Sequence, residues 1–176
     1  MEATTVFSIP GKKTKVTLQE IVDIYKQEIG IHGQENIKLI IGTDSQRVGR
    51  YFFLTTAFTL YRIGKGGRIF YIRRKRDAKM FSAIAMRLLK EAEYTIAITQ
   101  AFIGLLQDQS EDMAEFIANI RFEVHFDANP DKIHASNQIV KAVAGWASGM
   151  GLDAKIKPDA WCASTVADKY AQGKAK

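Results

Sequence analysis

Four acidic residues, Asp44, Glu91, Asp127 and Asp168, stand where carboxylates could do chemistry. Glu91 carries the strongest signal of the four. It lies in a long helical pattern, and at about 100° per residue Ile84, Ile98 and Phe102 fall within about 20° of it. Leu88 and Leu106 lie about 60° away, whereas Glu93 points about 160° away toward the polar side. A carboxylate on a core-facing stripe must be paired, protonated or bound to a metal ion, because an isolated buried charge is costly. Arg87, one turn earlier, offers an i,i+4 ion pair as the simplest partner. Asp44 and Asp127 each end an apolar strand pattern, where functional groups are displayed and where aspartate also serves simply to cap a turn. Gly42, on the face of Asp44, leaves room there for an approaching group. Asp168 shares a helix face with Trp161, seven residues before it, and a solvated helical aspartate is its simplest reading.

The elements that must position these acids follow from periodicity. Residues 1–16 are polar, carry the Pro10-Gly11 turn signal and read as an arm. Thr17-Leu18-Gln19-Glu20 has the form of a capping box and opens a helix to about Ile29, stopped by Gly30 and Gly33. Lys38 to Thr43 is apolar on both faces, as in a strand covered on both sides, and ends at Asp44. Residues 51–62 alternate, with Phe52, Leu54, Phe58 and Leu60 on one face. Gly64-Lys65-Gly66-Gly67 then gives a hairpin turn rather than a phosphate loop, since a strand (68–72) and not a helix follows it. A long helix is expected from about Ala78 to Leu106, then a polar connection and a short helical stretch. Phe122 to Asp127 reads as a fourth strand, with an Ala128-Asn129-Pro130 turn behind it. Residues 132–148 read as a helix, Ala154 to Lys157 as a short strand, and Ala160 to Gln172 as a last helix capped by Asp159. This order predicts an α/β fold with a five-stranded mixed sheet, its first three strands antiparallel, helices on its faces and an N-terminal helix. The arm and first helix (1–37) would pack on a domain spanning 38–172, leaving 173–176 as a frayed tail.

Composition narrows the partners. The 176 residues suit one domain with a sizeable core, and 47% apolar with 25% charged residues is ordinary globular usage. No stretch approaches the roughly 20 apolar residues that cross a bilayer, so no membrane association is expected. Residues 1–5 carry neither a basic n-region nor an apolar h-region, and a cytoplasmic protein is expected. Cys162 is the sole cysteine, which excludes an intramolecular disulfide and a cysteine knuckle. The net charge of +6 is compatible with a polyanionic partner. Arg73-Arg74-Lys75-Arg76 concentrates that charge, either as a solvated strand end and loop or as a phosphate grip. Trp146 and Trp161 read as core, and His125 and His134 as hydrogen-bonded structural histidines or groups assisting the acids.

Taken together, several blocks resemble a known family. Ile41-Gly42-Thr43-Asp44-Ser45-Gln46, Arg87-x-x-x-Glu91, His125-Phe126-Asp127, Gly145-Trp146 and Lys157-Pro158-x-x-Trp161-x-Ala163-Ser164-x-x-Ala167-Asp168 are similar to the YkuK-type family of uncharacterised bacterial proteins, with a ribonuclease H-like fold. The resemblance covers roughly residues 38 to 170. Asp127-Ala128-Asn129-Pro130 departs from it where glycine is expected soon after the aspartate. The resemblance implies a phosphodiester hydrolase dependent on Mg²⁺ or Mn²⁺, with Asp44, Glu91, Asp127 and Asp168 as catalytic metal ligands. Hard cations favour oxygen ligands, and clustered acids stay ionised together when a cation offsets their repulsion. Asp44 and Asp127 would be the core ligands, Glu91 and Asp168 completing one metal each. Nucleic acid is the implied partner, with Arg73, Arg74, Lys75 and Arg76 holding phosphates. A non-catalytic nucleic-acid-binding module of the same fold is the alternative. Ile41-Gly42-Thr43-Asp44 is also similar to the phosphate-binding strand of sugar kinases and actin-like ATPases, which need two such domains where this chain has one.

Overall fold

A computed structural model describes residues 3–81, 83–108, 119–127 and 135–171. Its sheet has seven strands in the order β2-β1-β5-β4-β3-β6-β7. The five expected strands are present as β3 (Ile37–Val48), β4 (Tyr51–Arg62), β5 (Gly66–Asp77), β6 (Arg121–Phe126) and β7 (Asp153–Ile156). β4 runs antiparallel to both β3 and β5, while β6 and β7 run parallel to β3. The expectation of five strands is corrected by the arm. Val6–Ser8 (β1) and Lys15–Thr17 (β2) pair with each other, and β1 also joins β5 through Ser8 and Tyr71. Three-residue strands carry almost no periodic signal, yet here they cover a sheet edge that would otherwise expose unpaired backbone groups. Phe7 secures the arm by burying completely in the core.

Helix α1 (Leu18–His32) begins as its residues dictate. The Thr17 hydroxyl accepts from the Glu20 N–H at 3.2 Å, and the Thr17 N–H donates to the Glu20 carboxylate at 2.6 Å. Gly30 lies inside the helix, so the stop falls to Gly33, whose φ of 82° closes it. Helix α2 (Ile84–Gln107) starts later than expected, because β5 runs on to Asp77 in register with Tyr51. Asp77 then caps a short 3₁₀ turn through the Lys79 N–H. Ile84 is consequently the first residue of the helix and 67% exposed rather than part of the buried stripe. Helix α3 spans Ala135–Gly149. Its inward stripe is Val140, Val143 and Ala147, and Trp146 falls off the edge of that stripe onto the surface, contrary to its reading as core. The last helix is also different in kind. Cys162–Ala167 is π-helical and leads into the short α4 (Asp168–Ala171).

The main core fills the face of the sheet toward α1 and α2, with Leu39, Ile41, Phe58, Phe102 and Val124 among its members. On the opposite face Ile40 and Ala57 meet Cys162 and Ala167 of the C-terminal segment. The two faces explain why β3 is apolar on both sides. No described helix is long and apolar enough to cross a membrane. The expected short helical stretch after Asp112, the turn at 128–130 and His134 lie outside the described residues.

Candidate active site

The parallel register of β3 and β6 brings two of the acids together. Gly42 pairs with His125 and Thr43 with Phe126, so the next positions along the two strands are Asp44 and Asp127. Adjacent strands lie about 4.8 Å apart, and in-register neighbours share a face. Asp127 follows the last residue of β6. Asp44 lies within β3, which runs on to Val48 because β4 pairs with it, contrary to the expectation that Asp44 ends its strand. It stands where the parallel pairing with β6 stops. Alternation along β3 sends Ile40, Gly42 and Asp44 toward the C-terminal segment, and Leu39, Ile41, Thr43 and Ser45 toward α2.

Glu91 reaches the same sheet end from the α2 side, and it is buried at 3% exposure. The Ser45 hydroxyl donates to its Oε1 at 2.5 Å, and Arg87 Nε lies 3.5 Å from the same oxygen. The i,i+4 ion pair is therefore present, but it accompanies a second contact that ties Glu91 to the strand carrying Asp44. A seam of hydroxyls fixes the helix at this height. Thr95 Oγ1 is 2.9 Å from Thr43 Oγ1 and 3.0 Å from the Glu91 carbonyl, and Thr43 Oγ1 is 2.9 Å from Thr56 Oγ1. Sequence reasoning passed over Ser45, Thr43 and Thr95 as positioning residues. The available signal was the hydroxyls at 43 and 45, which alternate with Gly42 and Asp44.

Asp168 arrives through a close approach of backbone to backbone. A Cβ added at Gly42 would lie 2.8 Å from Ala163 N and 3.0 Å from its Cα, so only glycine admits the π-helical segment. The room left by Gly42 is thus filled by the protein itself. Cys162 completes the seat. Its N–H donates to His125 Nδ1 at 3.1 Å, and its Sγ lies 3.6 Å from Thr59 Oγ1. His125 is fully buried, with its pKa held down by burial. With Nδ1 accepting, the proton sits on Nε2, which lies 3.3 Å from Glu123. Trp161 packs edge-on against His125 and Tyr61.

The electrostatics show that the acids share one environment. Burial pushes Asp44 up to about 7, with the charges of Asp127 and Asp168 adding to the rise, while the Ser45 N–H and Arg87 oppose it. Burial likewise pushes Glu91 up to about 8, reinforced by Asp44 and Asp127 and opposed by the Ser45 hydroxyl and Arg87. Asp127 has a cation of its own, since Lys157 Nζ lies 2.6 Å from its Oδ1. Among the described residues no three His, Cys, Asp or Glu side chains form a ready-made metal-holding group. The four acids are neighbours in charge, with Lys157 and Arg87 as their present counterions. Their all-oxygen donor set, and the burial, reinforced by mutual repulsion, that raises the pKa values of Asp44 and Glu91, fit a hard divalent cation.

The basic run is divided by the strand it occupies. Arg73 to Arg76 lie within β5, not beyond a strand end, and alternate between its faces. Arg74 and Arg76 turn toward α2, where Arg76 Nη2 donates to Tyr94 Oη at 2.8 Å and the Arg74 guanidinium stands 4.7 Å from the Tyr94 ring centroid. Arg73 and Lys75 turn to the face that carries Asp44.

Comparison with known proteins identifies the family. Residues 13–172 match the ribonuclease H-like family, and the chain belongs to it. The chain is also 27% identical over 161 residues to the uncharacterized protein YkuK of Bacillus subtilis (strain 168), covering 90% of this chain and 92% of that protein.

Proposed function

We propose that this ribonuclease H-like chain is a metal-dependent phosphodiester hydrolase acting on nucleic acid. The observation that carries the reading is that Asp44 and Asp127 each follow the last parallel pair of β3 and β6, Thr43 with Phe126, and that the acids bear on one another electrostatically. Asp44 and Asp127 would hold Mg²⁺ or Mn²⁺ between them, with Glu91 and Asp168 completing one ion each. Such ions, if bound there, would supply activation of a water and stabilisation of the leaving oxygen. The chain's own contribution is positioning. Ser45 and Arg87 orient Glu91, the hydroxyl seam fixes α2, and Gly42 lets the segment bearing Asp168 approach. Lys157 and Arg87 offset negative charge at Asp127 and Glu91.

The test is incubation of the chain with labelled hybrid, duplex, single-stranded and junction substrates in Mn²⁺, Mg²⁺ or EDTA. Metal-dependent cleavage that Asp44→Asn abolishes supports the reading, and the lack of any such cleavage overturns it. The Lys157–Asp127 ion pair favours a second reading, a nucleic-acid-binding module without catalysis. In that case binding persists in EDTA, survives Asp127→Asn and falls steeply with salt.

A further inference from the structure

Beyond Asp44, the face of the sheet that carries it continues along β3, β4 and β5 into residues with no part in holding the acids. Across β3, β4 and β5 the pairing sets up rows on that face. Asp44 pairs with Thr55, which pairs with Arg73, and the next row is Gln46, Phe53 and Lys75. Tyr51 follows on β4, one row further out. Arg73 lies two strand spacings from Asp44, about 10 Å along its row. Arg73 and Lys75 are exposed, and Phe53 and Tyr51 are half-buried. Each ring is matched with a cation. The Arg73 guanidinium lies 4.0 Å from the Phe53 centroid, Lys75 Nζ lies 3.7 Å from the Tyr51 centroid, and the Arg50 guanidinium lies 4.9 Å from the same tyrosine.

We infer that this face, Tyr51 and Phe53 with Arg73 and Lys75, is a track for single-stranded nucleic acid leading to the carboxylates. What the track delivers rests on the phosphodiester reading of the acids, whereas its binding does not. Cations spaced at i and i+2 along a strand stand about 7 Å apart and follow a backbone of phosphates. Rings and a guanidinium plane between them offer flat partners to bases, and only unpaired bases are free to use them. A duplex keeps its bases stacked internally and would engage the cations alone. The basic run therefore acts by halves. Arg73 and Lys75 belong to the track, and Arg74 and Arg76 hold Tyr94 of α2.

The experiment is fluorescence anisotropy of the full chain in EDTA with labelled single-stranded RNA, single-stranded DNA and the duplex of the same sequence, over a salt series. Tighter binding to a single strand than to the duplex is expected, and the RNA and DNA arms identify which strand is preferred. Arg73→Gln with Lys75→Gln, both at exposed positions, should lower the slope of log K against log salt by about 1.4, the value for two phosphates on a single strand. Phe53→Leu and Tyr51→Leu should each weaken single-strand binding at least about fivefold while leaving the salt slope unchanged. Thermal melts of each variant establish that it is folded. Equal or tighter duplex binding, or leucine variants that melt normally and bind as the parent does, would overturn the track. Binding that follows these rules in a chain that cleaves nothing refutes the phosphodiester reading and leaves the track standing. Cleavage of duplex indifferent to Arg73→Gln and Lys75→Gln does the reverse.

Discussion

Raising the pH in the absence of divalent cations should destabilise this protein, because two buried acids are held partly protonated in the fold. Asp44 moves from an ordinary 3.8 to about 7, and Glu91 from 4.5 to about 8. Between those limits the folded chain binds more protons than the unfolded chain, so stability falls as pH rises. The contribution is fully present below the unfolded values and is lost as the pH passes through about 7 and 8. At about 1.4 kcal/mol per pH unit, each group accounts for a loss on the order of 4 kcal/mol. The pair loses less than twice that, since the repulsion between Asp44 and Glu91 counts once. Glu20 and Glu123, whose pKa values are lowered, act below this window. His125, held by burial below its ordinary 6.5, acts in the opposite sense at the window's lower edge, losing stability as pH falls below that value, and offsets part of the trend. The assay is urea or thermal unfolding in EDTA at pH 5.5 and pH 8.5. The higher pH should lower Tm by roughly 10 °C for a chain of this size. Asp44→Asn should flatten the dependence and be the more stable form at pH 8.5, and millimolar Mg²⁺ should restore the parent there by binding the folded state. A parent whose stability is unchanged across this range, or an Asp44→Asn variant with the parent's slope, would refute the reasoning.

Three substitutions probe the positioning of the site. Gly42→Ala should cost about 1–3 kcal/mol in urea unfolding by pushing Ala163 from the sheet, and should also impair any metal-dependent cleavage by shifting Asp168. Ser45→Ala removes the hydroxyl that donates to Glu91 and should cost about 1–3 kcal/mol at pH 8.5 but less at pH 5.5, where Glu91 is protonated. Lys157→Met removes the cation beside Asp127 and should tighten Mn²⁺ binding several-fold in calorimetry without nucleic acid, because the ion no longer competes with an ammonium.

Much of this was legible in residues close together in sequence. The capping box at Thr17, the glycine hairpin after Arg62 and the alternation of β4 are local patterns, and the structure contains each of them. The position of Glu91 on the buried stripe of α2 was legible for the same reason, although the exposure of Ile84 was not. Misreadings came where a distant partner decided the matter. β5 runs to Asp77 because β4 is there to pair with it, and so the basic run became part of a strand and divided between two faces. The arm became two strands because a free sheet edge was available to it.

The sequence by itself determined the kinds of acid, the elements that carry them and their order along the chain, because helical and strand periods are set by neighbours a few residues apart. Only the tertiary structure decided that Asp44 and Asp127 both follow the last parallel pair of β3 and β6, that Ser45 and not Arg87 alone engages Glu91, and that Gly42 admits Ala163. Those contacts join residues tens to more than a hundred positions apart, and packing of the whole chain selects such partners where no local period can encode them.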